Sequence, residues 1–163
     1  MQTILIPTDF KPAALQCIPA LCDRLAGKGI NLIFMHLFKL SSSESELMML
    51  SRRNREFENI SDEFHQSIRL IRQKYPQIKN VKLDFFYGST VSMFKNYLEA
   101  HEVDFILDPK DCCISPLNRA SIDPTLLTKK AGLPVLSLPA AEVRRPEASN
   151  KFLEESNVLS AVS

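Results

Sequence analysis

The chemistry-bearing residues of this chain gather around one short run, Asp104-Phe105-Ile106-Leu107-Asp108-Pro109-Lys110-Asp111-Cys112-Cys113. The run reads as a buried strand that passes into the loop where an α/β fold of this size holds a phosphate. Such a loop turns backbone N–H groups inward and tolerates little side-chain bulk, so it is normally rich in glycine. Here no glycine occurs between Phe105 and Ala131. Pro109 has no N–H to donate, and Asp108 and Asp111 would repel a polyphosphate. Lys110, Arg119 and Lys129 can supply positive charge in place of backbone amides, but the two carboxylates offset it. The segment therefore predicts a fold built for nucleotides with its usual binding chemistry missing.

The other candidates are weaker. Asp9, next to Thr8, sits where it can cap the first helix, a role worth about 1 kcal/mol with no ligand present. His36 lies inside an apolar run and reads as a hydrogen-bonded core histidine. His65 and His101 lack the Cys, Asp or Glu spacing of a metal site. Cys17, Cys22, Cys112 and Cys113 form no C-x-x-C pair, so neither a redox motif nor a zinc ribbon is expected. The adjacent Cys112-Cys113 reads as two reduced thiols in a loop. Arg52, Arg53 and Arg55 are surrounded by Glu44, Glu46, Glu56 and Glu58, which predicts a solvated helix face. No Ser-His-Asp or Cys-His spacing is evident.

These residues need elements to position them. Residues 3–7 read as a buried strand. Residues 11–26 read as a helix with Ala14, Ile18, Leu21 and Leu25 on one face and a kink at Pro19. Ile30 to Phe38 is apolar apart from His36, the pattern of a parallel strand buried on both faces. A serine-rich loop, Ser41 to Ser45, leads into a long helical region ending at Tyr75, striped by Phe57, Ile60, Phe64, Ile68, Ile71 and Tyr75. Val81 to Tyr87 is a third strand, and Gly88 leads to a helix capped by Ser89 or Thr90. Asp104 to Leu107 is the fourth strand, Asp123-Pro124 starts another helix, and Pro134 to Pro139 is the fifth strand. Alternation of strands with helices predicts a doubly wound, three-layer α/β fold with a five-stranded parallel sheet. Residues 1–139 make the domain. Residues 140–163 are a polar tail in which Phe152, Leu153, Leu159 and Val162 can form a short amphipathic helix.

Composition narrows the function class. The 163 residues are 45% hydrophobic and 24% charged with a formal net charge of +1. That balance argues against nucleic-acid binding by bulk electrostatics. No apolar run approaches the roughly 20 residues that cross a bilayer, and the N-terminus has no basic region of a signal peptide. A cytoplasmic protein is expected, with no membrane and no nucleic-acid partner.

Taken in order, these segments resemble the universal stress protein family. Ile4-Leu5-Ile6-Pro7-Thr8-Asp9-Phe10 is similar to its first strand and turn, and Leu32-Ile33-Phe34-Met35-His36-Leu37 to its second. Gly88 before a helix, Asp104 at strand four and Gly132-Leu133-Pro134-Val135-Leu136 fall where the family has counterparts. The resemblance covers about residues 1–139. It implies the adenine nucleotide alpha hydrolase-like, Rossmann-like fold and dimerisation through the last strand. It also implies a family split between members that bind ATP through G-x-x-G, about nine residues, then Gly-Ser or Gly-Thr, and members that lack this motif. Carried over, the first glycine falls on Pro109, the second on Cys112 and the third near Ser121, with Ile122 at the hydroxyl position.

The resemblance places Asp9 at a ribose or metal and Leu37 at an adenine, and groups them with Pro7, Thr8, Asp108, Lys110 and Arg119 in a vestigial or remodelled nucleotide pocket. The adenosine half of such a pocket is retained and the phosphate half is lost. The expectation is a non-catalytic, homodimeric regulatory or interaction module of the stress response with no cofactor and an unidentified protein partner. The alternatives are a member that binds ATP or AMP through a remodelled loop and a slow nucleotide hydrolase.

Overall fold

The apolar runs become five parallel strands: β1 (Gln2–Pro7), β2 (Ile30–Phe38), β3 (Ile78–Tyr87), β4 (Phe105–Leu107) and β5 (Val135–Leu136). This computed structural model describes residues 1–39, 46–88, 90–112 and 114–138. The strand order is β3-β2-β1-β4-β5. Ile4 pairs with Leu32 on one side and Phe105 on the other, so β1 is central. Its residues Ile4, Leu5 and Ile6 are wholly buried, as expected of a parallel strand covered on both faces.

Each face of the sheet carries its own apolar layer. On one face, Ile4, Ile6, Phe34 and Phe38 pack with α1 (Ile18–Arg24) and with Phe64 of α3 (Asp62–Lys74). Phe10, Phe34, Phe38, Phe57, Phe64 and Phe85 make a chain of ring contacts there, with Phe10 and Phe85 centred 4.9 Å apart. On the other face, Leu5, Ile33, Met35 and Leu37 meet Phe94 and Leu98 of α4 (Val91–Ala100) and Leu127 of α5 (Thr125–Lys130). The chain order changes direction between β1 and β4, and a sheet of this kind opens its crevice there, outside the carboxyl ends of those two strands.

Five local features differ from the sequence reading. The expected helix over 11–26 is a 3-10 helix, Pro12–Cys17, followed by α1. Pro19 does not kink a continuous helix; it sits in the first turn of α1, where its missing N–H costs nothing. The long helical region is two helices, α2 (Glu46–Asn59) and α3, because the Ser61 side chain accepts from the Phe64 N–H at 3.1 Å and starts a new helix. β3 begins at Ile78 rather than Val81, its exposed Lys79 and Asn80 lying on an edge strand. β5 is Val135–Leu136, shorter than Pro134 to Pro139, with Pro139 itself outside the described residues. Gly132 has φ +83 just past α5 and closes that helix in the left-handed region.

Candidate functional site

The turn after β1 is held from several sides. The Thr8 N–H donates to the Met35 carbonyl at 2.8 Å, and the Thr8 hydroxyl accepts from the Phe10 N–H at 3.0 Å. Phe10 has φ +58, an uncommon conformation for an aromatic residue. It turns the ring down between Phe64 and Phe85 and leaves Asp9 facing the crevice. Asp9 is 3% exposed. It does not cap the first helix, whose N-cap position is Lys11 with no side-chain cap. Instead one carboxylate oxygen accepts from the Lys11 N–H at 3.1 Å, a local turn.

The other Asp9 oxygen accepts from the Ser115 hydroxyl at 2.8 Å, and the Lys11 ammonium donates to the same hydroxyl at 3.0 Å. Ser115 is 1% exposed. The loop after β4 thus reaches back over β1 and ties its own serine to the carboxylate at the switch point. Ile114, next to it, is also buried. The cavity left beside them is about 240 Å³, lined by Phe10, Lys11, Pro12, Glu56, Asn59 and Leu117 among others. That is below the roughly 300–1,000 Å³ of ordinary small-molecule sites.

A second tie runs through His36. Its Nδ1 lies 2.7 Å from the Thr8 carbonyl oxygen and its Nε2 lies 2.8 Å from the Ser121 hydroxyl. A carbonyl only accepts, so Nδ1 carries the proton and Nε2 accepts from Ser121. The Ser121 oxygen also accepts from the N–H groups of Leu117 and Asn118, at 2.9 and 3.3 Å. Burial lowers the His36 pKa to about 4, against the raising effect of its bond to Thr8, with Lys11 lowering it further. The imidazole is neutral at ordinary pH and acts as a strut joining β1, β2 and the loop.

Six backbone donors of the loop, besides those of Leu117 and Asn118, are used within the chain. The Lys110 N–H goes to Asp108 Oδ1, Asp111 to the Asp108 carbonyl and Cys112 to the Pro109 carbonyl. Ala120 donates to Asn118 Oδ1, Ser121 to the Asn118 carbonyl and Ile122 to the Leu37 carbonyl. The Lys39 N–H in turn donates to Ala120, strapping the loop along the end of β2. A phosphate cradle works by pointing several such groups at one anion. These six N–H groups are turned to acceptors of the chain itself rather than to a common point.

The remaining sequence candidates lie in different places. Pro7 ends β1 opposite Met35. Leu37 is 2% exposed and packs into the layer under α4 and α5. Asp108 turns toward β5, accepting from the Ser137 hydroxyl at 3.1 Å, with the Lys110 ammonium 3.5 Å away. Asp111, buried, accepts from the Leu138 N–H at 2.8 Å. Both carboxylates thus bind the residues that follow β5. Arg119 is exposed. Ser115 and Lys11 were not legible as site residues, since Ser115 meets Asp9 across 106 positions of sequence. Cys113 lies outside the described residues.

A second polar cluster sits at the free edge of β3. Asp84, 2% exposed, accepts from Arg53 of α2, from the Tyr97 hydroxyl of α4 at 2.6 Å and from the Phe85 N–H at 2.9 Å. Helices from both layers are thereby fastened to one carboxylate around the sheet edge. Burial, then the bond to Asp84, holds the Tyr97 phenol above its ordinary range. Arg53 thus departs from the solvated face expected for Arg52, Arg53 and Arg55. Among the described residues, no group of three or more His, Cys, Asp or Glu side chains converges as a metal site requires. Nor is any helix long and apolar enough to cross a membrane.

Comparison with solved structures places the fold in a known setting. The hypothetical protein PH0823 is 19% identical over 84% of this chain and 94% of its own, with a TM-score of 0.51. The two share a fold. The universal stress protein UspA from Lactobacillus plantarum is 17% identical over 85% of this chain and 97% of its own, with a TM-score of 0.48. A universal stress protein family protein from Arabidopsis thaliana, with AMP bound, is 13% identical over 87% of this chain and 95% of its own, at a TM-score of 0.45. No family model and no curated protein matches the chain.

Proposed function

We propose that the chain is a universal stress protein-type domain that works in the cytoplasm as a non-catalytic regulatory or interaction module and does not hold ATP tightly. One observation carries this reading: the Asp9 carboxylate, where that family resemblance puts a ribose, is already engaged by Ser115 of the chain's own loop. A ribose that took up this carboxylate would have to displace Ser115 from its buried position. Calorimetric titration with ATP, with and without magnesium, tests it. The expected outcome is no heat of binding at micromolar ligand; a micromolar Kd overturns the reading.

The second reading is an adenine nucleotide-binding member with a remodelled loop. The Lys11 ammonium beside Asp9, next to the 240 Å³ cavity, favours it. If ATP or AMP does bind, this reading requires the affinity to fall in Asp9→Asn and Lys11→Ala, or in Lys110→Ala and Arg119→Ala if those side chains meet the phosphates. Copies of the chain are proposed to pair through β5, where Val135 is 39% exposed and the strand edge is unpaired among the described residues. Light scattering that returns a clean monomer contradicts that pairing.

A further inference from the structure

We propose that an apolar hollow between the end of β2 and α5 binds a free aliphatic monocarboxylate, a small molecule with a saturated chain and one carboxylate head. The hollow is about 540 Å³, lined by Lys39, Ile122, Asp123, Leu126, Leu127 and Lys129 together with Thr125. That volume lies within the range of ordinary small-molecule sites. The hollow shares no lining residue with the cavity beside Asp9. It also belongs to the other apolar layer: Phe85 and Leu117, at the Asp9 cavity, pack with Phe34 and Phe64, whereas Ile122 and Leu127 pack in the layer under α4 and α5.

The walls are fixed by the chain's own hydrogen bonds. The Ile122 N–H donates to the Leu37 carbonyl at 2.9 Å and the Lys39 N–H to the Ala120 carbonyl at 2.7 Å. Asp123 Oδ1 accepts from both the N–H and the hydroxyl of Thr125, at 2.9 and 2.6 Å. A site ordered before its ligand arrives loses little affinity to ordering.

Three features select the ligand. The apolar lining is wholly aliphatic, Ile122, Leu126 and Leu127, and Leu126 stands 59% exposed. A purine would find no aromatic face to stack on among these lining residues, and the N–H groups of Lys39 and Ile122 and the Thr125 hydroxyl are already spent. Charge comes next. Two ammonium groups, Lys39 and Lys129, stand against one carboxylate, Asp123, which leaves one positive charge for an anionic head. Neither ammonium has an ion pair among the described residues. Size is the third. Seven residues line the hollow, far fewer than the roughly 20–30 a side of a stable protein interface, so it suits a small molecule better than a protein.

Calorimetric titration of the full chain with decanoate tests the proposal, beside decyltrimethylammonium and AMP. The expected result is saturable binding of one decanoate per chain. Octanoate should bind about tenfold more weakly, because each buried methylene adds to affinity. Leu126→Asp should weaken decanoate about tenfold or more. Lys39→Glu/Lys129→Glu should weaken it about tenfold at low salt and less at high salt. All three side chains are exposed, so these variants leave the core intact. Amide hydrogen exchange over residues 122–127 should slow when decanoate is added to the native chain. No binding at millimolar decanoate overturns the proposal. So does equal affinity for decyltrimethylammonium, uptake of many molecules per chain, or unchanged affinity in both variants. Displacement of decanoate by AMP also overturns it and assigns the hollow to a nucleotide.

Discussion

Acid should loosen this protein through His36. The imidazole is buried, its Nδ1 donating to Thr8 and its Nε2 accepting from Ser121, and its pKa is lowered from 6.5 to about 4 by burial first of all. A histidine with a depressed folded pKa stays neutral when folded while the unfolded chain takes up a proton. Stability is therefore fully present above the unfolded value of 6.5 and is lost as pH falls toward about 4. With ~1.4 kcal/mol per pKa unit, the loss between pH 7.5 and 4.5 is about 2.5 kcal/mol. Carboxylates titrate in the same window, so the measurement is a difference. Urea unfolding is followed at a series of pH values for the native chain and for His36→Gln, which keeps a polar atom near Ser121 but does not titrate. The native stability should fall about 2.5 kcal/mol further over that window than the variant's. Parallel pH profiles for the two proteins would refute the reasoning, because they would mean that His36 gains its proton as easily folded as unfolded.

Three further outcomes follow from the same kind of reasoning. Asp84→Ala removes a buried acceptor from Arg53, Tyr97 and Phe85 and should cost about 3 kcal/mol in chemical denaturation. Arg53→Ala should cost only about 1 kcal/mol, since that side chain is 41% exposed and its pair is partly screened. Ser61→Ala deletes the cap that starts α3 and should lower stability by about 1 kcal/mol, read in the same denaturation assay. A loss below about 0.3 kcal/mol would show that the turn at Ile60 holds without it.

Much of the architecture was legible because the signals that build it are local. Ile30 to Phe38 is apolar on both faces, so it reads as a central strand, and Thr90 reads as a cap and accepts from the Met93 N–H at 3.2 Å. The α2–α3 break was hidden because Ile60 continues the apolar stripe through the turn, even though Ser61-Asp62-Glu63 is a helix start. The first three residues of β3 were hidden by edge-strand polarity at Lys79 and Asn80. The site was much less legible. The absence of glycine said what the loop lacks, but not that Ser115 would turn inward to Asp9 or Ser121 to His36. Those contacts join residues 106 and 85 positions apart, and no short-range pattern records a hydrogen bond across that distance. Asp84 carried no signal for the same reason, its partners arriving from two different helices.

The fastening at Asp84 also sets the two margins of the sheet apart. At β3, Arg53 and Lys82 approach the buried carboxylate from α2 and from the strand itself, and charged side chains on an edge strand discourage pairing with another strand. At β5 no comparable charge lies on Val135 or Leu136. A sheet with one guarded margin and one open margin can be extended from a single side. If two copies join there by the same surface, each uses up the other's open side and growth stops at a closed pair. Neutralising Arg53 and Lys82 together would give the sheet two extendable margins, the arrangement from which filaments form.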